Sequence, residues 1–118
     1  MHEMGIANSL LDSVRSEARR FPGRHIHSVG VRIGELSGVN SDSLSFCFEV
    51  LVRGTDLEPL TLAVDYRPCL RECQSCGSRF TASESLTCPH CQEAESRIVG
   101  GDELELAYLE VEDGTGTA

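Results

Sequence analysis

The chain contains no lysine. Its ten basic residues are all arginines, set against nineteen acids, and the formal net charge is −9. The excess of acid is concentrated in residues 41–118, which hold fifteen acids and five arginines. Binding to a phosphate backbone needs a basic face or stripe, and this sequence offers none. We therefore expect no nucleic-acid partner.

Long apolar runs are also missing. No stretch approaches the roughly 18 residues that a membrane-spanning helix needs. The first residues, MHEMGIANSL, do not combine the basic and apolar regions of a secretory signal. We expect a cytoplasmic protein without membrane association.

The residue patterns of catalysis are absent as well. We find no nucleophile with an adjacent base and no glycine-rich phosphate loop. Glu3, Glu35 and Glu49 are more simply interpreted as solvated or capping carboxylates than as a general acid/base pair. The sequence therefore predicts a protein that is not an enzyme.

What the chain does have is two C-x2-C motifs, Cys73 with Cys76 and Cys88 with Cys91. A two-residue spacer lets both sulfurs of a motif point the same way, so four thiolates can surround one tetrahedral ion. In a reducing compartment such motifs indicate a metal site rather than disulfides. We expect structural zinc, with iron in a rubredoxin-like site as the rival.

The remaining cysteines and histidines give weaker signals. Cys69 is either a substitute ligand or a spare thiol, and Cys47 is expected in the core, on the apolar side of a helix. His25 and His27 begin a strand and are expected to be no ligands. His90 lies inside the second cysteine motif, and the sequence predicts no function for it.

A histidine at position 2 is a second metal-binding candidate. The α-amino group, the imidazole of His2 and the backbone nitrogens of His2 and Glu3 can approach one ion in a plane. Such nitrogen donors favour Ni²⁺ or Cu²⁺. By itself, however, a histidine here is usually a solvated chain end.

Two helices are predicted from apolar residues at helical spacing. The first runs from residue 4 and ends at Phe21-Pro22-Gly23. The second is capped by Asn40 or Ser41 and stops near Gly54.

Three strands of a sheet are predicted from alternating residues. In the first, His27, Val29, Val31 and Ile33 alternate with Ser28, Gly30 and Arg32, as expected of a strand with one buried face. The second lies at residues 60–64. The last begins at Leu104, and its phase slips at Tyr108, as a β-bulge would cause.

These elements predict an α+β fold, with two helices against a small, mainly antiparallel sheet and an inserted zinc-ribbon-like module. The main domain comprises residues 1–66 and 100–113, and the module comprises residues 67–99. Residues 114–118 are expected to form a flexible tail.

From residue 1 to about 112 the chain resembles the HypA/HybF family of hydrogenase nickel-insertion proteins. The matching stretches are MHEMGIA at 1–7, GELSGV at 34–39, FEVL at 48–51, GT at 54–55, both cysteine motifs, GDEL at 101–104 and LEV at 109–111. The resemblance implies a mixed α/β nickel domain with a zinc module inserted in it.

The resemblance also implies the metal ligands. Ni(II), the transient cargo, would be held by the amine of Met1, the imidazole and amide of His2, and the amide of Glu3. Zn(II), in a structural or regulatory role, would be held by the family's four cysteines, here Cys73, Cys76, Cys88 and Cys91. Some members add a histidine from the end of the zinc module, but this chain has Ser96-Arg97-Ile98-Val99 there.

By the same resemblance, the protein is a metallochaperone that delivers nickel to the large subunit of [NiFe]-hydrogenase together with the GTPase HypB. Urease maturation proteins are further partners in some organisms. The alternative is a zinc-ribbon adaptor for protein interactions with no nickel role. Such an adaptor would explain the cysteines and the acidity but would not need His2.

Overall fold

The computed structural model describes residues 2–81 and 85–112. In order, its elements are α1 (Glu3–Ala18), β1 (Ile26–Gly34), a 3-10 turn (Glu35–Ser37), α2 (Ser41–Val52), β2 (Thr61–Arg67), β3 (Leu70–Cys73), β4 (Arg79–Thr81), β5 (Ser96–Gly100) and β6 (Leu104–Val111). Met1 and the predicted tail at 114–118 lie outside the described residues. No helix in the described part of the chain is long and apolar enough to cross a membrane.

The larger sheet has the strand order β2-β1-β6, with β1 in the centre. β1 is antiparallel to β6 but parallel to β2, with Ser28 opposite Thr61. A parallel pair needs a crossover connection, and α2 supplies it. The predicted α+β fold with two helices is confirmed, although this sheet is mixed because of that crossover.

The core lies between the two helices and one face of this sheet. Val29, Val31 and Ile33 of β1 have no exposed surface. The helices contribute Ala7, Leu10, Leu11 and Val14 from α1 and Leu44, Phe48 and Val52 from α2. The apolar residues at helical spacing, from which the two helices were predicted, form one stripe on each helix, and these stripes are buried.

The opposite face of β1 is also covered, contrary to the prediction. Ser28 and Gly30 are buried, whereas His27 is exposed. The ring of Tyr108 lies against Gly30, and a side chain at that position would overlap it. Cover by a cross-strand aromatic does not show in a local alternation. His27 falls where the register with β6 shifts between Ile26 and Ser28, and it does not join Val29, Val31 and Ile33 on the buried face.

Local signals placed several element ends correctly. Asn40 caps α2, and its Oδ1 accepts a hydrogen bond from the Ser43 N–H at 2.9 Å. The predicted bulge in β6 is confirmed, because the register with β1 shifts between Gly30 and Val31. Helix α1 ends at Ala18, earlier than predicted.

The second sheet, β4-β3-β5, is antiparallel and comes from the chain between β2 and β6. Among the described residues, its buried cluster consists of Cys73, Phe80 and Cys88. Three residues offset little of the conformational entropy of some thirty, so this sheet has little apolar stabilisation of its own.

Candidate metal centres

The four predicted zinc ligands meet at one point. The sulfur atoms of Cys73, Cys76, Cys88 and Cys91 all lie within 4.8 Å of one another. The Sγ atoms of Cys73 and Cys91 are 3.6 Å apart, as are those of Cys76 and Cys88. A tetrahedral ion with Zn–S bonds of about 2.3 Å needs sulfur separations of roughly 3.8 Å. The cluster therefore fits a tetrahedral dication.

The two motifs position their sulfurs in the same way. In the first, the N–H groups of Ser75 and Cys76 donate to the Cys73 sulfur. In the second, the N–H groups of His90 and Cys91 donate to the Cys88 sulfur. Such amide donors stabilise and orient a thiolate ligand.

Each motif then closes with a residue in a left-handed conformation. Gly77 has φ 77° and donates its N–H to the Cys73 carbonyl; Gln92 has φ 63° and donates its N–H to the Cys88 carbonyl. In both motifs the first cysteine is buried and the second exposed. The exposed pair faces solvent, which gives the ion an entry path.

The thiols of the metal-free cluster differ in acidity. Hydrogen bonding with Ser78 lowers the pKa of Cys76 to about 6. A hydrogen bond with the backbone of Glu93 lowers the pKa of Cys91, but partial desolvation and the three neighbouring thiols together outweigh it and raise this pKa to about 12. One thiolate forms readily, but a full set of four needs the charge of a bound cation.

The other thiols and histidines lie elsewhere. Cys69 is outside the four-sulfur cluster and buried. Cys47, which was expected in the core, is half-buried and packs against the edge of the core. The Nε2 atom of His25 lies 2.8 Å from the Pro59 carbonyl oxygen, which gives this histidine a structural contact. His90 is exposed, and its backbone N–H is what contacts a cysteine sulfur.

The predicted nickel residues His2 and Glu3 lie at the start of α1. His2 is exposed and occupies the cap position, and its carbonyl accepts the Ile6 N–H at 3.1 Å. The first amides of a helix have no acceptor within the helix. The amides of His2 and Glu3 are therefore not needed for helix hydrogen bonds.

The carboxylate of Glu3 is held by the loop before α2. Its Oε2 accepts the backbone N–H of Asn40 at 3.1 Å. This hydrogen bond lowers the pKa of the Glu3 carboxyl. A negative charge is thereby fixed beside His2, while the Glu3 side chain is directed toward the loop.

The same loop, residues 35–40, contacts the two connections that lead into and out of the second sheet. Glu35 Oε1 accepts the Cys69 N–H at 2.7 Å, and the Leu36 N–H donates to the Gly101 carbonyl at 2.6 Å. Gly101 has φ 107°, and a side chain there would come within 2.6 Å of the Cys69 Cα atom. Both connections to the module are thus packed against one loop.

Two surface clefts share His2. The first, of about 600 Å³, lies between the starts of the helices and is lined by His2, Glu3, Met4, Asp42, Ser43, Phe46 and Cys47. The second, of about 520 Å³, lies between α1 and β6 and is lined by His2, Gly5, Ile6, Ser9, Leu10, Ser13, Leu104, Glu105 and Leu106. The sequence did not indicate either cleft, because each joins residues far apart in the chain.

The chain matches the family model described as hydrogenase/urease nickel incorporation, metallochaperone, hypA, over residues 1–111. A hydrogenase maturation factor HypA from Geobacter metallireducens is 40% identical over 113 residues, which cover 95% of this chain and 100% of that protein. One from Roseiflexus is 38% identical over 120 residues, which cover 100% of this chain and 98% of that protein.

Two solved structures are also similar. The solution structure of the Ni metallochaperone HypA from Helicobacter pylori has a TM-score of 0.61 and 26% identity, covering 93% of this chain and 97% of that one. The solution structure of a HypA protein has a TM-score of 0.66 and 25% identity, covering 93% of this chain and 95% of that one. On this evidence the chain belongs to the HypA family of nickel metallochaperones for hydrogenase maturation.

Proposed function

We propose that this chain binds one Ni(II) at its N-terminus and passes it to the large subunit of [NiFe]-hydrogenase. The donors are the amine of Met1, the imidazole and amide of His2, and the amide of Glu3. The observation that carries the proposal is the position of His2, which is exposed at the N-cap of α1. The backbone N–H groups of His2 and Glu3 have no acceptor within the helix. Four nitrogen donors in a plane suit Ni(II).

Charge balance favours this arrangement. A helix N-terminus carries a partial positive charge, which opposes a cation. Two deprotonated amides would neutralise the dication, and the Glu3 carboxylate adds a fixed negative charge nearby. Since His2 is exposed, the cargo stays accessible to an acceptor.

The zinc assignment rests on the four-sulfur cluster. Cys73, Cys76, Cys88 and Cys91 would hold Zn(II), which would supply a rigid cross-link in a module whose described residues include a buried cluster of three. Four thiolates leave no open ligand position for a substrate. The role proposed for this site is therefore structural, and the chain acts as a carrier and not as an enzyme.

The partners follow from the cargo. We place the protein in the cytoplasm with the GTPase HypB and the hydrogenase large subunit, and with urease maturation proteins where urease is present. Selectivity against Cu²⁺ must come from supply, geometry or the partner, because Cu²⁺ binds such donors more tightly.

The test is calorimetric titration of Ni²⁺ into untagged, zinc-loaded protein. Wild type should bind one nickel, while His2→Ala and a variant with one residue added before Met1 should lose it and keep zinc. His27→Ala is the matched control, because this histidine is also exposed but lies on β1. Equal binding by all four proteins would refute the N-terminal site and favour an adaptor role without nickel.

A further inference from the structure

The outer edge of β6 is available for pairing. In the described part of the chain, β6 pairs with β1 alone and ends the sheet. An edge strand presents unpaired N–H and C=O groups that a further strand can use. β6 is eight residues long, enough to template another strand.

A groove runs along this edge. Its far wall is the face of α1 that carries Gly5, Ser9 and Ser13, which are spaced four residues apart and so lie on one side of the helix. All three are small and exposed, so they leave a space where larger residues would close it. Leu104, which is 39% exposed, and Leu106 form the opposite wall. The groove is therefore shaped for a chain with apolar side chains.

The charge of the edge restricts what can occupy it. Four glutamates lie on β6 or beside it, namely Glu103, Glu105, Glu110 and Glu112. Arg32 pairs with Glu105 at 2.8 Å and offsets its charge, so the negative charge of the edge comes mainly from Glu103, Glu110 and Glu112. A second copy of this edge would bring glutamates against glutamates, which opposes self-pairing. The complementary occupant carries Arg or Lys.

The groove ends at the candidate nickel site, because His2 lines it. We propose that the groove between α1 and β6 docks an extended segment of the nickel-accepting protein, in which basic and apolar residues alternate and which pairs with β6 as an added strand. Its apolar residues enter the groove, its basic residues face the β6 glutamates, and one end comes to rest beside His2. This inference rests on the proposed function for the identity of the partner as the nickel acceptor.

The first test uses a fluorescent, end-blocked octapeptide of alternating Arg and Val, with alternating Glu and Val as the control peptide. Anisotropy should show binding of the Arg peptide to zinc-loaded wild type. Ser9→Tyr fills the groove and should weaken binding about tenfold or more, which corresponds to about 1.4 kcal/mol. Asn8→Tyr, at the neighbouring exposed position outside the groove lining, should leave affinity unchanged. Ser13→Tyr serves as a second blocking variant if Ser9→Tyr loses its helical circular dichroism.

Amide exchange measured by NMR gives the second readout. Peptide binding should protect amides of β6 and leave those of β2, the other edge of the same sheet, unchanged. The proposal is overturned if wild type does not bind the Arg peptide, if the Glu peptide binds equally well, if the blocking variants bind like wild type, or if β6 gains no protection.

Nickel titration of the same variants separates this inference from the proposed function. Ser9→Tyr should still bind one nickel, because Ser9 is none of the proposed donors. If wild type binds peptide but no nickel, the docking surface stands and the N-terminal site falls. If wild type binds nickel but no peptide, the docking proposal falls alone.

Discussion

The Glu35 carboxylate and the Cys69 amide are joined by a hydrogen bond of 2.7 Å. Glu35 lies just after β1, and Cys69 lies on the connection from β2 to the metal-binding sheet. Five residues after Glu35, the amide of Asn40 donates to Glu3, at the candidate nickel site. One short loop therefore contacts both the candidate nickel residue Glu3 and the connection that leads from β2 to the sheet carrying Cys73.

Removing the Glu35 carboxylate should destabilise this junction. Cys69 is 5% exposed, so its N–H would lose its partner in a largely water-free position. An unsatisfied buried donor costs about 1–3 kcal/mol, and we expect Glu35→Ala to lower the free energy of unfolding by that amount. Chemical denaturation measures it. The control is Glu49→Ala, which removes an exposed glutamate of α2 and should cost less than about 0.5 kcal/mol.

A change at the zinc centre should reach the N-terminus through this loop. We expect replacement of Zn²⁺ by Cd²⁺ to shift the NMR amide signals of His2 and Glu3, because both ends of the loop are hydrogen-bonded. The shift should shrink in Glu35→Ala. Unchanged N-terminal signals in wild type after metal exchange would refute this relay.

The left-handed residues of the two cysteine motifs provide a matched pair of substitutions. Gly77→Gln puts a side chain into a conformation that disfavours it by about 1–2 kcal/mol and should make zinc easier to extract. Gln92→Gly removes such strain and should make zinc harder to extract. Competition with a zinc chelator measures both. Equal zinc retention by the two variants would contradict the account of the motif geometry.

Zinc binding should release protons near neutral pH. Cys91, with a pKa of about 12, is protonated at pH 7 and must lose its proton to bind, whereas Cys76, with a pKa of about 6, is mostly ionised. Since only the thiolate binds, zinc affinity should rise with pH. Calorimetry of zinc binding in buffers of different ionisation enthalpy counts the released protons. A heat that does not depend on the buffer would contradict this prediction.

Features written in short stretches of sequence were predictable. The cap at Asn40 and the four cysteines each follow from local chemistry, and the structure places them as expected. The α+β fold class followed from the two kinds of periodicity and from the family resemblance.

Features that depend on distant parts of the chain were not predictable. The covering of Gly30 depends on Tyr108 of β6, and the contact of Glu35 with Cys69 joins residues 34 positions apart. Glu35 was interpreted as a solvated or capping carboxylate, because its partner is a backbone amide that carries no sequence signal. The groove beside β6 arises in the same way, from a helix and a strand at opposite ends of the chain.

The central claim is that nickel is held by nitrogen donors of the N-terminus. Nickel K-edge X-ray absorption of the untagged, zinc-loaded protein with one equivalent of Ni(II) tests it most directly. The account predicts a four-coordinate planar site with nitrogen ligands, including an imidazole, that is lost in His2→Ala. Sulfur ligands around nickel, unchanged in His2→Ala, would contradict it and place the cargo at the cysteines.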